Sequence, residues 1–245
     1  MSKFYFDTHM HFDLYHNRND VLTYLEKNRC YTIAITNLPD LFEKYRLCYG
    51  SYKYIKFALG FHPELVYKYK NQMDKFESNI QYTRYIGEVG ADFTTEDFRE
   101  RKVQLEILSE IVSACDQYND KILSIHTRKA EKQVLEILHN CKSQVIFHWY
   151  SGTIKELEEA LERGYFFSIN HQMIRSNSGK RIIANIPLER ILIESDAPFT
   201  KGLEKNYSIK FMDDIYKFLS ETRNVDEEEL GIILKNNFRT ILTQA

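Results

Sequence analysis

The sequence predicts an α/β protein folded as a single (β/α)8 TIM barrel, and three observations lead there. Short apolar, β-rich runs alternate with longer amphipathic segments along the whole chain, a pattern that gives a parallel sheet because each crossover returns to the starting end. The runs number eight in 245 residues, the count and length that close such a barrel. An open doubly wound sheet is the alternative, but no Gly-x-Gly-x-x-Gly opens the first helix and no Walker A loop is present. No linker, repeat or low-complexity stretch divides the chain, so residues 1–245 are expected to form one domain.

Taken in order, the first strand is expected at Phe4 to Thr8 and runs into Asp7-Thr8-His9-Met10-His11. Side chains two apart on a strand share a face, so Asp7, His9 and His11 point the same way. Two imidazoles with a carboxylate behind them can offer two nitrogens to one divalent ion and an acceptor that fixes a ring tautomer. A solitary His-x-His is equally at home in a core or in water, so a metal site here needs further ligands from later in the chain. A helical pattern spans Asn19 to Asn28, and the second strand Tyr31 to Thr36. The third, Ile55 to Gly60, runs into Gly60-Phe61-His62-Pro63, and the fourth, Tyr85 to Glu88, into Gly87-Glu88-Val89-Gly90. After a helix at Phe98 to Tyr118, the fifth strand, Ile122 to His126, leads to Thr127-Arg128. A helix at Ala130 to Asn140 precedes the sixth strand, Gln144 to His148, which ends at Trp149. A helix at Ile154 to Arg163 precedes the seventh, Tyr165 to Ile169, and the eighth, Arg190 to Glu194, ends in Ser195-Asp196-Ala197-Pro198. Helices at Ile209 to Thr222 and Asp226 to Leu242 finish the chain.

Five of the eight histidines fall at the C-terminal ends of these strands, the end where barrel enzymes keep their chemistry. Core packing does not predict that clustering. His9, His11, His126 and His148, with Glu88 and Asp196, supply enough nitrogen and oxygen to hold two divalent ions, and zinc, manganese or magnesium would fit. A carboxylate on a middle strand can bridge two ions, and such a pair can activate water and brace both oxygens of a phosphoryl transfer.

Composition sets limits. The net charge of −2 gives no general pull toward nucleic acid, so any phosphate affinity must be local. The 17 Tyr and 16 Phe mostly occupy strand and helix positions where packing explains them. Cys30, Cys48, Cys115 and Cys141 form no CxxC pair and read as reduced thiols. No apolar stretch is long enough to span a membrane, and Asp7 and His9 come too early for a signal peptide, so a cytoplasmic location is expected.

With these residues assembled, the chain resembles the TatD family of metal-dependent deoxyribonucleases, a branch of the amidohydrolase-like barrels, over essentially its whole length. The resemblance is carried by Asp7-Thr8-His9-Met10-His11, Gly60-Phe61-His62-Pro63, Gly87-Glu88-Val89-Gly90-Ala91-Asp92, Ile125-His126, His148 with Ser151-Gly152, and Glu194-Ser195-Asp196-Ala197-Pro198. It implies that His9, His11 and Asp196 hold one ion, that His126 and His148 hold the other, and that Glu88 bridges them. Within the family, Leu123 to Ala130, His148 to Gly152 and Phe166 to Ile169 look most like QatD, the TatD-like component of the Qat anti-phage defence system. That implies DNA as substrate and the other Qat proteins as partners. The sequence departs from the family at Gly90-Ala91-Asp92, where Gly-Leu-Asp is common, and at Ile169-Asn170-His171-Gln172-Met173, where smaller residues are common. The second departure suggests a narrower or differently shaped mouth.

The reaction expected from this resemblance is attack on a DNA phosphodiester by a water activated between two ions, with Asp196 orienting or deprotonating it and Glu88 bridging. His62 and Arg128 are expected to hold the phosphate, although His62 could brace a loop and Arg128 could pair with a carboxylate. By strand parity, Asp7 and Glu194 are expected to orient the ligands or to make buried salt bridges. Lys68, Lys70, Arg175, Lys180, Arg181, Lys201 and Lys205 come after strands and could meet a DNA backbone or form ordinary surface. Trp149 could stack a base or close the barrel top. A small-molecule amidohydrolase and a partner-gated or non-catalytic defence subunit remain alternatives. Glu88, where many amidohydrolases use a modified lysine, tilts the choice toward phosphoesters.

Overall fold

A computed structural model of the chain describes residues 4–243, so the outermost residues of the expected 1–245 domain, 1–3 and 244–245, lie outside the described residues. Eight strands are present: β1 (Phe6–Met10), β2 (Tyr31–Ala34), β3 (Ile55–Phe57), β4 (Tyr85–Asp92), β5 (Ile122–Arg128), β6 (Gln144–His148), β7 (Phe166–Ile169) and β8 (Ile191–Ile193). All pair in parallel, β1 to β3 in one run and β4 to β8 in another. The barrel closes through two short seams. At one, Met10 bridges Ala197, with Asp196 N donating to His9 O at 2.9 Å and His11 N to Ala197 O at 2.9 Å. At the other, Leu59 bridges Ile86, and Phe61 N donates to Glu88 O at 3.0 Å. Strands covered on both faces need apolar residues throughout, which is why runs such as Ile191-Leu192-Ile193 are entirely buried.

The helices expected from periodicity appear as α1 (Arg18–Lys27), α5 (Phe98–Cys115), α6 (Glu131–Ile137), α7 (Ile154–Glu162), α9 (Phe211–Arg223) and α10 (Glu227–Thr243). Each turns one stripe inward; in α5 it is Gln104, Ile107, Leu108, Ile111, Val112 and Cys115. Four further α-helices complete the set: α2 (Pro39–Tyr49), α3 (Pro63–Tyr69), α4 (Met73–Asn79) and α8 (Asn177–Ala184). Both α2 and α3 begin with proline at the first helical position, which fixes φ and needs no N–H partner there. Asn237 of α10 donates to Leu188 O and Ile191 O at 2.7 and 2.8 Å, and Phe238 packs its ring 4.9 Å from Phe6 and from Tyr31. These contacts lock α10 against the starts of β1, β2 and β8.

Two glycines set how closely the strands approach beneath the mouth. A Cβ on Gly60 would lie 1.6 Å from Thr36 O, and one on Gly90, at φ +146°, would lie 1.9 Å from His126 O. Neither position has room for a side chain. Gly90 thereby lets β4 and β5 hold Glu88 and His126 side by side. β4 runs four residues beyond the expected Glu88 end, to Asp92.

Candidate metal centre

His9 lies within β1, and His11 comes directly after its last residue. Asp196, at φ +46°, lies just beyond β8 in a left-handed conformation that Asp tolerates better than most residues. The seam bonds join the backbones of these residues directly, and their side chains converge. His9 Nε2 lies 3.2 Å from His11 Nε2, and Asp196 Oδ1 lies 3.8 and 3.6 Å from those nitrogens.

Glu88 sits at the centre, buried, with its two carboxylate oxygens facing different histidines. Oε2 is 3.5 Å from His9 Nε2 and 3.3 Å from His11 Nε2. Oε1 is 2.5 Å from His126 Nδ1, 2.8 Å from His148 Nε2 and 3.4 Å from His62 Nε2. His126 Nδ1 and His148 Nε2 are themselves 3.4 Å apart. The clusters His9, His11, Asp196; His9, Glu88, His148; and His62, Glu88, His126 are each compact enough to hold an ion. The donor set fits divalent metals, because imidazole nitrogens and carboxylate oxygens share the buried site.

The rings are oriented from behind. His9 Nδ1 meets Ser124 Oγ at 2.8 Å, leaving Nε2 for the centre, and His126 Nε2 meets Asp92 Oδ2 at 2.9 Å, leaving Nδ1. His62 differs. Its Nδ1 accepts the Glu64 backbone N–H at 3.2 Å, capping α3, so in the neutral ring Nε2 carries the proton. His62 therefore presents a donor to the centre, whereas the other four rings can present lone pairs. The expected bracing of a loop is made by Nδ1, and Nε2 reaches to 3.4 Å from Glu88 Oε1 at the centre.

Asp7 makes no salt bridge among the described residues and acts mainly on backbone, accepting from Tyr207 OH at 2.7 Å, Ser195 N at 2.9 Å and His9 N at 3.2 Å, where the β1 register with β2 shifts between Asp7 and Met10. It ties the ligand-bearing backbones of β1 and β8 together without a salt bridge. Glu194 does stand behind one of the rings of the centre, His148, with Oε2 3.8 Å from Nδ1. It also accepts from Trp149 N at 2.9 Å, Asn170 Nδ2 at 3.1 Å and Ser168 Oγ. Sequence pattern alone assigns no role to Ser124, Asp92 and Tyr207, because their partners lie on other strands or helices. The Gly-Ala-Asp motif is the available signal for Asp92.

Burial penalises every charge here, and the neighbours decide the outcome. Glu88 is held well below the carboxylate range despite its burial, by His62, His148 and His126. Burial opposes the charge on His126, yet Glu88 and Asp92 raise it to about 9. Glu88 and Glu194 likewise overcome burial to raise His148. Burial and neighbouring His148 lower His9. Asp196 rises well above its usual range, chiefly through burial, with Glu194 and Glu88 adding to it. Burial carries Asp7 to about 7.

The centre opens into a cleft of about 430 Å³ lined also by Glu64, Thr127, Arg128, Trp149, Ser151 and Phe199. Arg128 is exposed on its rim, and no ion pair engages it among the described residues. Of the other basic residues noted in the sequence, none lines the cleft; Arg175 pairs with Asp214 at 3.1 Å. Asn170 to Met173 do not line it either. Asn170 caps the next turn, accepting from Gln172 N and Met173 N, and His171 Nε2 meets Lys201 O at 2.7 Å. That segment shapes the mouth only indirectly, by holding the loop after β8. Among the described residues no helix is long and apolar enough to cross a membrane, and all four cysteines are free.

Chemistry placed at the C-terminal mouth of such a barrel, around carboxylates and imidazoles able to hold metal ions, defines the class of metal-dependent hydrolases. Within that class the chain belongs to the TatD related DNase family, whose model matches residues 6–243. An uncharacterized metal-dependent hydrolase of Methanocaldococcus jannaschii is 25% identical over 247 residues, covering 95% of this chain and 94% of that protein. The human deoxyribonuclease TATDN3 is 26% identical over 163 residues, covering 62% of this chain and 57% of its own length. Among solved structures, the TatD homologue YJJV of Escherichia coli superposes with a TM-score of 0.85 at 22% identity, covering 97% of each chain, a likeness of fold.

Proposed function

We propose that this protein is a metal-dependent deoxyribonuclease that hydrolyses DNA phosphodiester bonds, with residues 1–245 working as one catalytic domain in the cytoplasm. The observation that carries this reading is the division of Glu88, whose Oε2 faces His9 and His11 while Oε1 faces His126 and His148. One carboxylate shared between two nitrogen sets suits a bridge between two divalent ions, Mg, Mn or Zn. His9, His11 and Asp196 would hold one of them, and His126 and His148 the other.

When bound, such ions supply the Lewis acidity that makes water a nucleophile near neutral pH and offset charge on phosphoryl oxygens. The chain's own groups do the rest. Asp196 turns Oδ1 toward His9 and His11, which leaves Oδ2 to orient the attacking water and take its proton. As the water oxygen bonds to phosphorus, the P–O bond to one sugar oxygen breaks. The His62 Nε2–H and the Arg128 guanidinium hold the non-bridging phosphate oxygens.

The test is cleavage of end-labelled single- and double-stranded DNA with Mg, Mn or Zn, beside Glu88→Ala and Asp196→Asn. Asn is used because it tolerates the left-handed backbone at that position. Ion-dependent cleavage lost in both variants is expected. No cleavage with any ion, in protein that binds metal, would sink the reading and favour a partner-gated subunit. Support for a defence role comes from the stretches Leu123 to Ala130, His148 to Gly152 and Phe166 to Ile169, which resemble QatD. On this reading the other Qat proteins are its partners, and protection of cells from phage is lost with Glu88→Ala in the assembled system. Unchanged protection would overturn a catalytic part in it.

A further inference from the structure

A second cavity, of about 240 Å³, lies at the end of the barrel opposite the metal centre and shares no lining residue with the cleft. It sits where β3 and β4 start. These strands belong to separate runs and meet nearer the mouth, at the Leu59–Ile86 bridge. Before that bridge a side chain spans them, Thr83 Oγ1 donating to Phe57 O at 2.9 Å, and a hollow is left between Ile55 to Phe57 on one side and Thr83 to Tyr85 on the other.

Part of the lining is core, with Phe42, Ile55, Phe57 and Tyr85 all buried. Its charged part is wholly cationic. Arg46 of α2, Lys56 of β3 and Arg84 line the hollow, and no acidic side chain does. Three positive charges around one cavity repel one another. Among the described residues no ion pair engages Arg46 or Lys56; Lys56 Nζ reaches a carbonyl, Tyr52 O, at 3.5 Å. Arg46 is the informative member. Its guanidinium carbon lies 4.1 Å from the centroid of the Tyr82 ring, while its Nε is buried with no hydrogen-bond partner. A buried donor left unpaired is uncommon in folded proteins and costs stability, because water no longer satisfies it. Stacking on Tyr82 accounts for the placement of the guanidinium and leaves that donor unsatisfied. An oxyanion among the three cations supplies the missing acceptor and offsets their repulsion.

We propose that this hollow binds a small phosphate-bearing anion, free phosphate or a phosphomonoester, away from the metal centre. Guanidinium forks match phosphate oxygens in pairs, and an ammonium adds a point charge. The cavity is smaller than the about 300–1,000 Å³ usual for drug-sized ligands, so it suits a compact anion. Seated there, the anion ties the start of β3 to the start of β4, strands that lead to His62 and Glu88 at their other ends. The hollow takes part in no step of the phosphodiesterase reading and stands without it.

The experiment titrates the full-length protein with inorganic phosphate and with deoxyadenosine monophosphate by calorimetry, metal-loaded and again after chelation, so that anion held by the centre is told apart from anion held by the hollow. One anion per chain should still bind after chelation and should raise Tm. Arg46→Gln and Lys56→Gln should each weaken that binding about 10- to 150-fold, the worth of one hydrogen bond to a charged group, and abolish the rise in Tm. Lys53→Gln, which removes an exposed cation outside the hollow, should leave both unchanged. Tighter binding of the mononucleotide than of phosphate identifies a phosphomonoester as the ligand, and the reverse identifies the free ion. If Arg46 serves only to pack on Tyr82, Arg46→Gln and Tyr82→Leu will lower Tm alike and leave anion binding intact, which would overturn the proposal. Binding that disappears on chelation, or an equal loss from Lys53→Gln, would overturn it too.

Discussion

The two halves of the centre share Glu88 but differ in depth. On the β1 and β8 side, the side chains of His9, His11 and Asp196 are 0%, 1% and 7% exposed, and a neutral hydroxyl, Ser124 Oγ, orients His9. On the β3 to β6 side, His62 and His126 are 16% and 17% exposed although His148 is only 6% exposed, and a carboxylate, Asp92, orients His126. Each half is fastened by one of the barrel's seams, the deep half through His9, His11, Asp196 and Ala197 and the open half through Phe61 and Glu88, but the rings of the open half are the more exposed to the cleft. On the two-ion reading proposed above, the deep half would hold its ion firmly and the open half would meet substrate.

The largest expected effect removes what the halves share. Glu88→Gln keeps the shape but loses the charge, and should lower kcat by ~10³-fold or more while metal content falls in both halves together. Loss of one ion alone would break the picture of a shared bridge. Next, Asp92→Ala should weaken metal binding in the open half by about 10- to 100-fold, measured by titration calorimetry, with the deep half unaffected. His62→Ala should raise KM roughly tenfold, the scale of one hydrogen bond to a charged group, with metal content intact; loss of an ion would make His62 a ligand instead. Arg128→Ala, on the exposed rim, should raise KM only a few-fold and leave kcat unchanged.

The smallest effect is on the pH dependence of stability. In chelator-treated protein His126 is raised to about 9 from an ordinary value of about 6.5. Its contribution is fully present below the unfolded value and is lost as pH rises through about 9, so Tm should drift down across that window. Divalent ions bind deprotonated imidazole and should reverse the sign of this slope. A Tm that rises with pH in the chelator-treated protein would contradict the arrangement around His126.

Much of this is legible in the sequence, and for a physical reason. Apolar runs buried on both faces mark their strands, and the positions just after them mark the mouth, so His9, His11, Glu88, His126, His148 and Asp196 can be located without coordinates. Helices α2, α3, α4 and α8 are not among those that periodicity predicts, although Pro39 and Pro63 mark two starts. The orienting groups are hidden more deeply. Asp92 and Ser124 act across strands, and Asp7 bonds backbone N–H groups of β1 and of the turn after β8, which side-chain alternation does not foretell. Phe199 gives no signal of its own, because a phenylalanine in a sequence does not show whether it will be covered.

The seam between β1 and β8 has a longer consequence. Its bonds run from Asp196 N to His9 O and from His11 N to Ala197 O, so they belong to main-chain atoms and not to the side chains that converge there. Barrel closure therefore rests on main-chain atoms, and the left-handed backbone at Asp196 is the constraint that the seam places on a side chain. A lineage of such chains is free to exchange one catalytic residue for another, or to fall silent as a catalyst, without first passing through an unfolded ancestor. Inheritance of the shape and inheritance of the chemistry are separable here, and a descendant with a dead centre would still be a well-made barrel.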